Sequence, residues 1–270
     1  MEIFNLWEKI PGLCEFIPVL EYYPAKFYSG VSQKCDATVV ILPGGGYASR
    51  AEHEGKGYAD FFNSIGMDAF VCQYRTAPHR YPLPLLDARR AVQFVRFNAE
   101  KFGINPEKIG VMGSSAGGHL ASSISNIYDD FDNVLVKDQI DAIDYLPNFE
   151  ILCYPVIALK DFGHIGSGKN LLGDNYENEQ LVDYLSMQNR VNEKTPKTFI
   201  FHTFDDPVVS IKNSLAYAMA LKENNIECEM HIYQNGPHGV GLASFSNSLS
   251  QWTVQLKNWL IHNEIIACKK

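Results

Sequence analysis

The run KIGVMGSSAGGHLASSISNIY, residues 108–128, restricts the fold of this chain more than any other stretch. After Lys108 its first residues form a short apolar run, as a buried strand does, and residues 117–128 keep helical spacing. Between them stand Gly113, Ser114, Ser115, Ala116 and Gly117, which leave almost no side chain at the turn. A strand that passes straight into a helix belongs to a parallel sheet, whose neighbouring strands must be joined by crossovers. Two readings of the turn follow: an ordinary tight corner, or a strained corner where only glycine fits beside a working serine.

The same unit recurs along the chain. Apolar runs at 37–43, 68–74, 108–113, 149–156, 197–203 and 227–234 read as strands. Helical patterns fill 51–65, 83–103 and 117–128, then about 208–224 and 247–262. The alternation predicts an α/β fold with a mostly parallel sheet and helices on both faces. A chain of 270 residues, 46% hydrophobic, suffices for one large domain over 1–270. The connections 129–148 and 157–195 are rich in Gly, Asn and Asp. Connections so long in a compact domain are often functional, and these are expected to form a small lid or rim.

Composition removes several function classes. A net charge of −8 with no Lys/Arg block argues against a nucleic-acid partner. No apolar run is long enough to span a membrane. The start, MEIFNLWEKIPGLCEF, has no basic segment leading into an apolar one, so no secretion signal is read and a cytoplasmic location is expected. Six cysteines occur at 14, 35, 72, 153, 228 and 268 without a C-x-x-C pair, and Cys72 and Cys153 lie in strand-like runs. They read as buried reduced thiols; a disulfide framework or a metal site fits less well.

Residues 113–117 fit G-x-S-x-G between a strand and a helix, which makes Ser115 the candidate nucleophile. The following helix aims its N-terminal amides at the site and favours a developing anion there. A nucleophilic serine needs a base and an acid, which in such folds follow in the order Ser, Asp or Glu, His. FIFHTFDDPVV supplies Asp205 and Asp206 directly after a late strand, and MHIYQNGPHGVGL supplies His238 after the last. His231 lies within a strand and His202 before the acid loop, so both read as structural. His119 sits in the first helical turn and points past the serine. The amide of Ala116 is one candidate oxyanion donor, and the glycine-rich LPGGGYASR after the 37–43 strand supplies the others. GHIGSGKN, 163–170, nearly matches a phosphate-binding loop. It has Asn170 where a hydroxyl belongs and no clear helix after it, so it reads as part of the 157–195 connection.

With these motifs in place, the chain resembles the α/β-hydrolases, and within them the bacterial acetyl-xylan-esterase-like (sugar hydrolase) group. The resembling segments are PGGGY (43–47), HEG (53–55), YRTAP (74–78), DARRA (87–91), GSSAGGHLA (113–121), YPV (154–156), GSGKNLLG (166–173), HTFDDPVV (202–209) and PHGVGLA (237–243). They run in family order over most of the chain. The resemblance implies that Asp206 takes the acid position with Asp205 its neighbour. It also implies that Gly45 and Gly46 complete the oxyanion hole with Ala116, and that Arg75 and Asp87 form a structural ion pair. Pro43 stands where the wider family's HGGG motif has histidine, as is usual in this group. No cofactor or metal is implied. The expected partner is a small-molecule or oligosaccharide ester, with acetyl groups on xylo-oligosaccharides foremost and Tyr47, Tyr81 and other rim aromatics available to stack on a sugar. A peptidase or amidase of the same fold stands as the alternative, and a non-catalytic hydrolase-like binding protein as a more distant one. The oligomeric state is not legible.

Overall fold

The computed structural model describes residues 1–12, 15–25, 34–135 and 137–267. Cys14 and Cys268 lie outside them. The chain runs β1 (Glu2–Asn5), β2 (Val19–Tyr23), β3 (Thr38–Leu42), α1 (Glu52–Ser64), β4 (Asp68–Gln73), α2 (Leu83–Phe97), α3 (Ala99–Phe102), β5 (Ile109–Ser114) and α4 (Ala116–Asn126). It continues through β6 (Phe149–Cys153), α5 (Ile165–Leu172), α6 (Glu179–Tyr184), β7 (Thr198–Thr203), α7 (Lys212–Glu223), β8 (Cys228–Tyr233) and α8 (Gln251–His262).

One eight-stranded sheet has the order β1-β2-β4-β3-β5-β6-β7-β8. The six strands from β4 to β8 in that order are parallel, as the alternating pattern predicts. β1 and β2 add an antiparallel edge that the strand runs did not include. Their burial explains the omission: β1 is almost wholly exposed, and β2 buries only every second residue, so neither reads as a continuous apolar run.

The central strands are buried on both faces. Val40 and Leu42 of β3 join a core with α2, α4 and α7, while Val39 and Ile41 face α1 and α8. Cys72 and Cys153 are fully buried in this packing. The helix expected over 83–103 breaks once: α2 ends where Asn98 turns its side-chain amide back to Phe94 O, and Gly103 closes α3 in the left-handed conformation. Arg75 and Asp87 form a wholly buried pair, with Nε to Oδ2 at 2.8 Å and Nη2 to Oδ1 at 2.8 Å, which pins α2 to the end of β4.

Glu150 on β6 is a second buried acid, with no lysine or arginine partner among the described residues. Burial raises its carboxyl from the ordinary value of 4.5 to about 7, against hydrogen bonds from Ser125, Tyr217 and Thr198. The folded chain therefore prefers the protonated form. Its contribution to stability is full below about pH 4.5 and is lost as pH rises to about 7, a swing of about 3 kcal/mol. Glu150→Gln keeps an acceptor without the charge. It is expected to flatten the pH dependence of denaturant midpoints across that window and to raise the midpoint at pH 8. An unchanged pH profile would exclude this account.

Candidate active site

The turn at Ser115 is as strained as its neighbours imply. Ser115 has φ 53° and ψ −121°, between the end of β5 and the start of α4. A Cβ on Gly117 would lie 2.0 Å from Leu42 O, and one on Gly113 would lie 2.0 Å from Gly117 O. Both contacts are with backbone, so neither glycine admits a side chain. The Ser115 backbone is itself tied down: its N–H donates to Cys153 O at 3.1 Å, and its carbonyl accepts from Val156 N at 2.9 Å and Gly118 N at 3.0 Å. Ser114 is wholly buried, with its hydroxyl on Tyr58.

His238, in the loop after β8, meets Ser115 with Nε2 2.9 Å from Oγ, and meets Asp206 with Nδ1 2.7 Å from Oδ2. A carboxylate only accepts, so Nδ1 carries the proton and Nε2 is left to accept from the serine hydroxyl. Asp206 follows β7, and the amides of Val208 and Val209 donate to its Oδ1 at 2.8 and 2.9 Å. Its side chain is fully covered. Burial works to raise its pKa, but the bonds from His202, His238 and the two amides prevail and hold it well below the usual carboxylate range. Asp205 points elsewhere: it accepts from Asn235 Nδ2 and Gly236 N, both at 2.8 Å, and so shapes the loop that carries His238.

The other histidines have separate duties. The His202 ring lies between Ser214 Oγ at 2.7 Å and Val209 O at 3.0 Å, with Nε2 3.4 Å from Asp206. His119 is buried, accepts from the Tyr47 hydroxyl at 2.8 Å and donates to Leu185 O at 2.7 Å. Burial lowers its pKa to about 4 against the bond to Leu185, so it is a neutral packing group. His231 pairs with Glu229 on β8 at 2.8 Å. Tyr47 corrects an expectation: it is 1% exposed and bonded to His119, so no sugar ring can stack on it. Tyr81 is half-buried, with its hydroxyl on Asp129.

The PGGG loop passes beside Ser115; a Cβ on Gly44 would lie 3.0 Å from Ser115 Cβ. The Gly44 amide donates to Glu54 Oε2 at 2.7 Å and is thereby occupied. Gly45 (φ 130°) and Gly46 (φ 64°) take conformations open chiefly to glycine. Among the described residues, no protein acceptor takes up the amides of Gly45, Gly46 or Ala116.

The near-match to a phosphate loop is corrected in kind. Residues 165–172 are themselves the helix α5, capped by His164, so their amides are not arrayed as a cradle. Asn170 instead donates to Gly46 O at 2.9 Å, placing α5 against the PGGG loop. Burial, with a smaller contribution from nearby His238, lowers the His164 pKa. The residues missed by sequence reasoning are Glu54, Tyr58, Tyr154 and Asn170. HEG, YPV and GSGKN contain three of them, but only as parts of a resemblance. Among the described residues, no three His, Cys, Asp or Glu side chains group as metal ligands, and no helix is long and apolar enough to cross a membrane.

Comparison with known proteins gives consistent matches. The BD-FAE family model matches residues 27–221. The chain is 38% identical over 251 residues to endo-1,4-beta-xylanase B of Butyrivibrio fibrisolvens, covering 89% of this chain and 38% of that protein. It is 34% identical over 227 residues to an acetylxylan esterase of Xylanibacter ruminicola, covering 82% and 45%. The chain thus spans less than half the length of these two relatives. Among solved structures, an acetyl ester-xyloside bifunctional hydrolase from Caldicellulosiruptor lactoaceticus superposes with a TM-score of 0.90 at 42% identity, covering 98% of this chain and 97% of that one.

Proposed function

The chain belongs to the BD-FAE family of α/β-hydrolases, and on that premise we propose that it is a serine esterase acting on short acyl esters, chiefly acetyl groups carried by xylo-oligosaccharides. One observation carries the reading: a strained serine, a histidine and a covered carboxylate stand in a line of two hydrogen bonds, 2.9 and 2.7 Å long. The acetyl and xyloside substrate class is supported by the names of the acetylxylan esterase and the acetyl ester-xyloside hydrolase to which the chain is similar.

In this mechanism Ser115 Oγ attacks the ester carbonyl while His238 Nε2 takes its proton. Asp206 holds the ring by Nδ1 and stabilises the imidazolium. The unoccupied amides of Gly45, Gly46 and Ala116 receive the oxyanion. The imidazolium gives its proton to the departing sugar oxygen as its bond to the carbonyl carbon breaks, an acetyl-enzyme remains, and His238 then activates water to release acetate. α5, which Asn170 fastens to the hole loop and His164 caps, forms the rim on that side.

Acetate release from acetylated xylo-oligosaccharides, set beside hydrolysis of p-nitrophenyl acetate and of acetyl p-nitroanilide, tests the proposal. Both esters are expected to be cleaved and the anilide to be cleaved at least about a hundredfold more slowly, because an amine is a far poorer leaving group unless the site is built to protonate it. Cleavage of p-nitrophenyl acetate alone would keep the mechanism and discard the sugar. Preference for the anilide would favour an amidase.

A further inference from the structure

Glu54 lies on α1, outside the Ser115–His238–Asp206 line, and is 2% exposed. Among the described residues it has no lysine or arginine partner; the imidazole of His53 stands 3.9 Å away. An acid kept in such a place without a cation is costly unless its oxygens are well supplied with donors. They are: Oε2 accepts from Gly44 N at 2.7 Å, and Oε1 accepts from the Tyr154 hydroxyl at 2.7 Å. The first donor opens the loop that carries Gly45 and Gly46. The second belongs to a buried tyrosine at φ 37°, whose ring meets the His238 ring edge-on with centroids 5.1 Å apart.

The directions of the remaining bonds follow by elimination. A carboxylate has no hydrogen to give, so Tyr154 spends its own on Glu54. Its oxygen then accepts from Gly241 N at 2.9 Å and from the Tyr58 hydroxyl at 2.9 Å, which leaves Tyr58 to accept from Ser114 Oγ at 2.8 Å. One acid thus terminates an oriented chain that touches the oxyanion loop, the strand end next to the nucleophile and the loop of the base. His53, its neighbour, adds a bond from Nε2 to Gly239 O at 2.9 Å, directly after His238.

We propose that Glu54 is a positioning residue for the esterase reaction: through Gly44 it presets the amides of the oxyanion hole, and through Tyr154 it holds the His238 loop in the same frame. The inference rests on the serine-esterase reading of the site. It implies that loss of Glu54 harms the transition state and leaves the binding of the ester nearly untouched, since the tethered groups matter most when the oxyanion forms.

The test is steady-state hydrolysis of p-nitrophenyl acetate by the full chain and the variants Glu54→Ala, Glu54→Gln, Tyr154→Phe and Glu54→Ala/Tyr154→Phe, each checked by circular dichroism and melting. For Glu54→Ala the expected loss is about 10²-fold in kcat with KM within about threefold. Glu54→Gln keeps an acceptor for Gly44, and its Nε2 can donate to Tyr154 once the hydroxyl chain reverses, with Tyr154 donating to Tyr58 and Tyr58 to Ser114, so it is expected to restore kcat to within about fivefold of wild type. Tyr154→Phe is expected to lose about tenfold, and the double variant to be no more than about twofold below Glu54→Ala, because the two act as one unit. A folded Glu54→Ala with unchanged kcat, a loss confined to KM, additive losses, or a Glu54→Gln as slow as the alanine would each overturn the proposal. If Glu54→Ala does not fold, Tyr154→Phe decides: an unchanged kcat overturns the proposal and a selective fall in kcat supports it. An inactive wild type would overturn the esterase reading and this proposal together, whereas an active wild type with an indifferent Glu54 overturns this proposal alone.

Discussion

Replacement of Ser115 by alanine is expected to lower kcat about 10⁶-fold, to the rate left by binding and the oxyanion donors. The size follows from the proposed mechanism, in which the Ser115 hydroxyl, 2.9 Å from His238 Nε2, is the atom that forms the new bond. His238→Ala leaves the serine without a base and is expected to cost about as much, and the double variant little more, since a nucleophile without its base is already disabled. Asp206→Asn is expected to cost about 10⁴-fold, because an amide no longer fixes the proton on Nδ1. Asp205→Asn removes a surface carboxylate that only steadies Asn235 and Gly236, and is expected to cost no more than about tenfold. Turnover of p-nitrophenyl acetate, with labelling by a fluorophosphonate, measures all five. A Ser115→Ala protein that keeps more than about one per cent of wild-type kcat, or still takes up the label, would return residues 113–117 to the status of a plain corner.

The second large effect is structural. Gly117→Ala is expected to lower the melting temperature by about 10 °C and to abolish activity, for a loss of about 3 kcal/mol in a chain of this size. Its methyl would be driven to 2.0 Å from Leu42 O, so β3 must part from α4 or the elbow must open. Gly113→Ala meets Gly117 O at the same distance and should behave alike. Gly57→Ala is the contrasting case. It lies inside α1 with nothing within 4 Å of the added carbon, and relief of a mid-helix glycine is expected to raise stability by about 0.5–1 kcal/mol. Melting curves of the three variants separate the steric account from a general dislike of alanine. A Gly117→Ala protein as stable and active as wild type would refute it.

What was legible in the residues, and what was not, divides along physical lines. β3 to β7 could be read because a strand covered on both faces is mostly apolar, as in TVVIL, whereas β8, exposed or half-buried throughout, was read from its run alone. The glycines around Ser115 could be read because a backbone-to-backbone approach of 2.0 Å tolerates nothing else. The order of Ser115, the Asp205–Asp206 pair and His238 was visible because each follows a recognisable strand. β1 and β2 were hidden by their one-sided or exposed faces. α5 was hidden by its three small residues in IGSGKNLL, which resemble a loop until Asn170 and the cap at His164 are seen to have partners. Glu54 was invisible as a buried acid, since α1 carries several charged residues and nothing local marks the one turned inward. Tyr47 misled for the converse reason: a tyrosine beside a glycine loop looks like a rim residue, and only the buried His119 reveals its use.

The ties that hold Ser115 reach beyond its own strand. The peptide before it follows β5, its amide is taken by the end of β6, its carbonyl receives Val156, and Gly117 rests on the last carbonyl of β3. Three strands far apart in the chain must therefore be in register before the hydroxyl is presented to its base. A nascent or partly unfolded chain would hold an unremarkable serine, no more reactive than any other. On the proposed reading, reactivity is a property of the finished sheet rather than of the serine itself. For the same reason, the fraction of chains that react with an active-site label is a count of correctly assembled molecules.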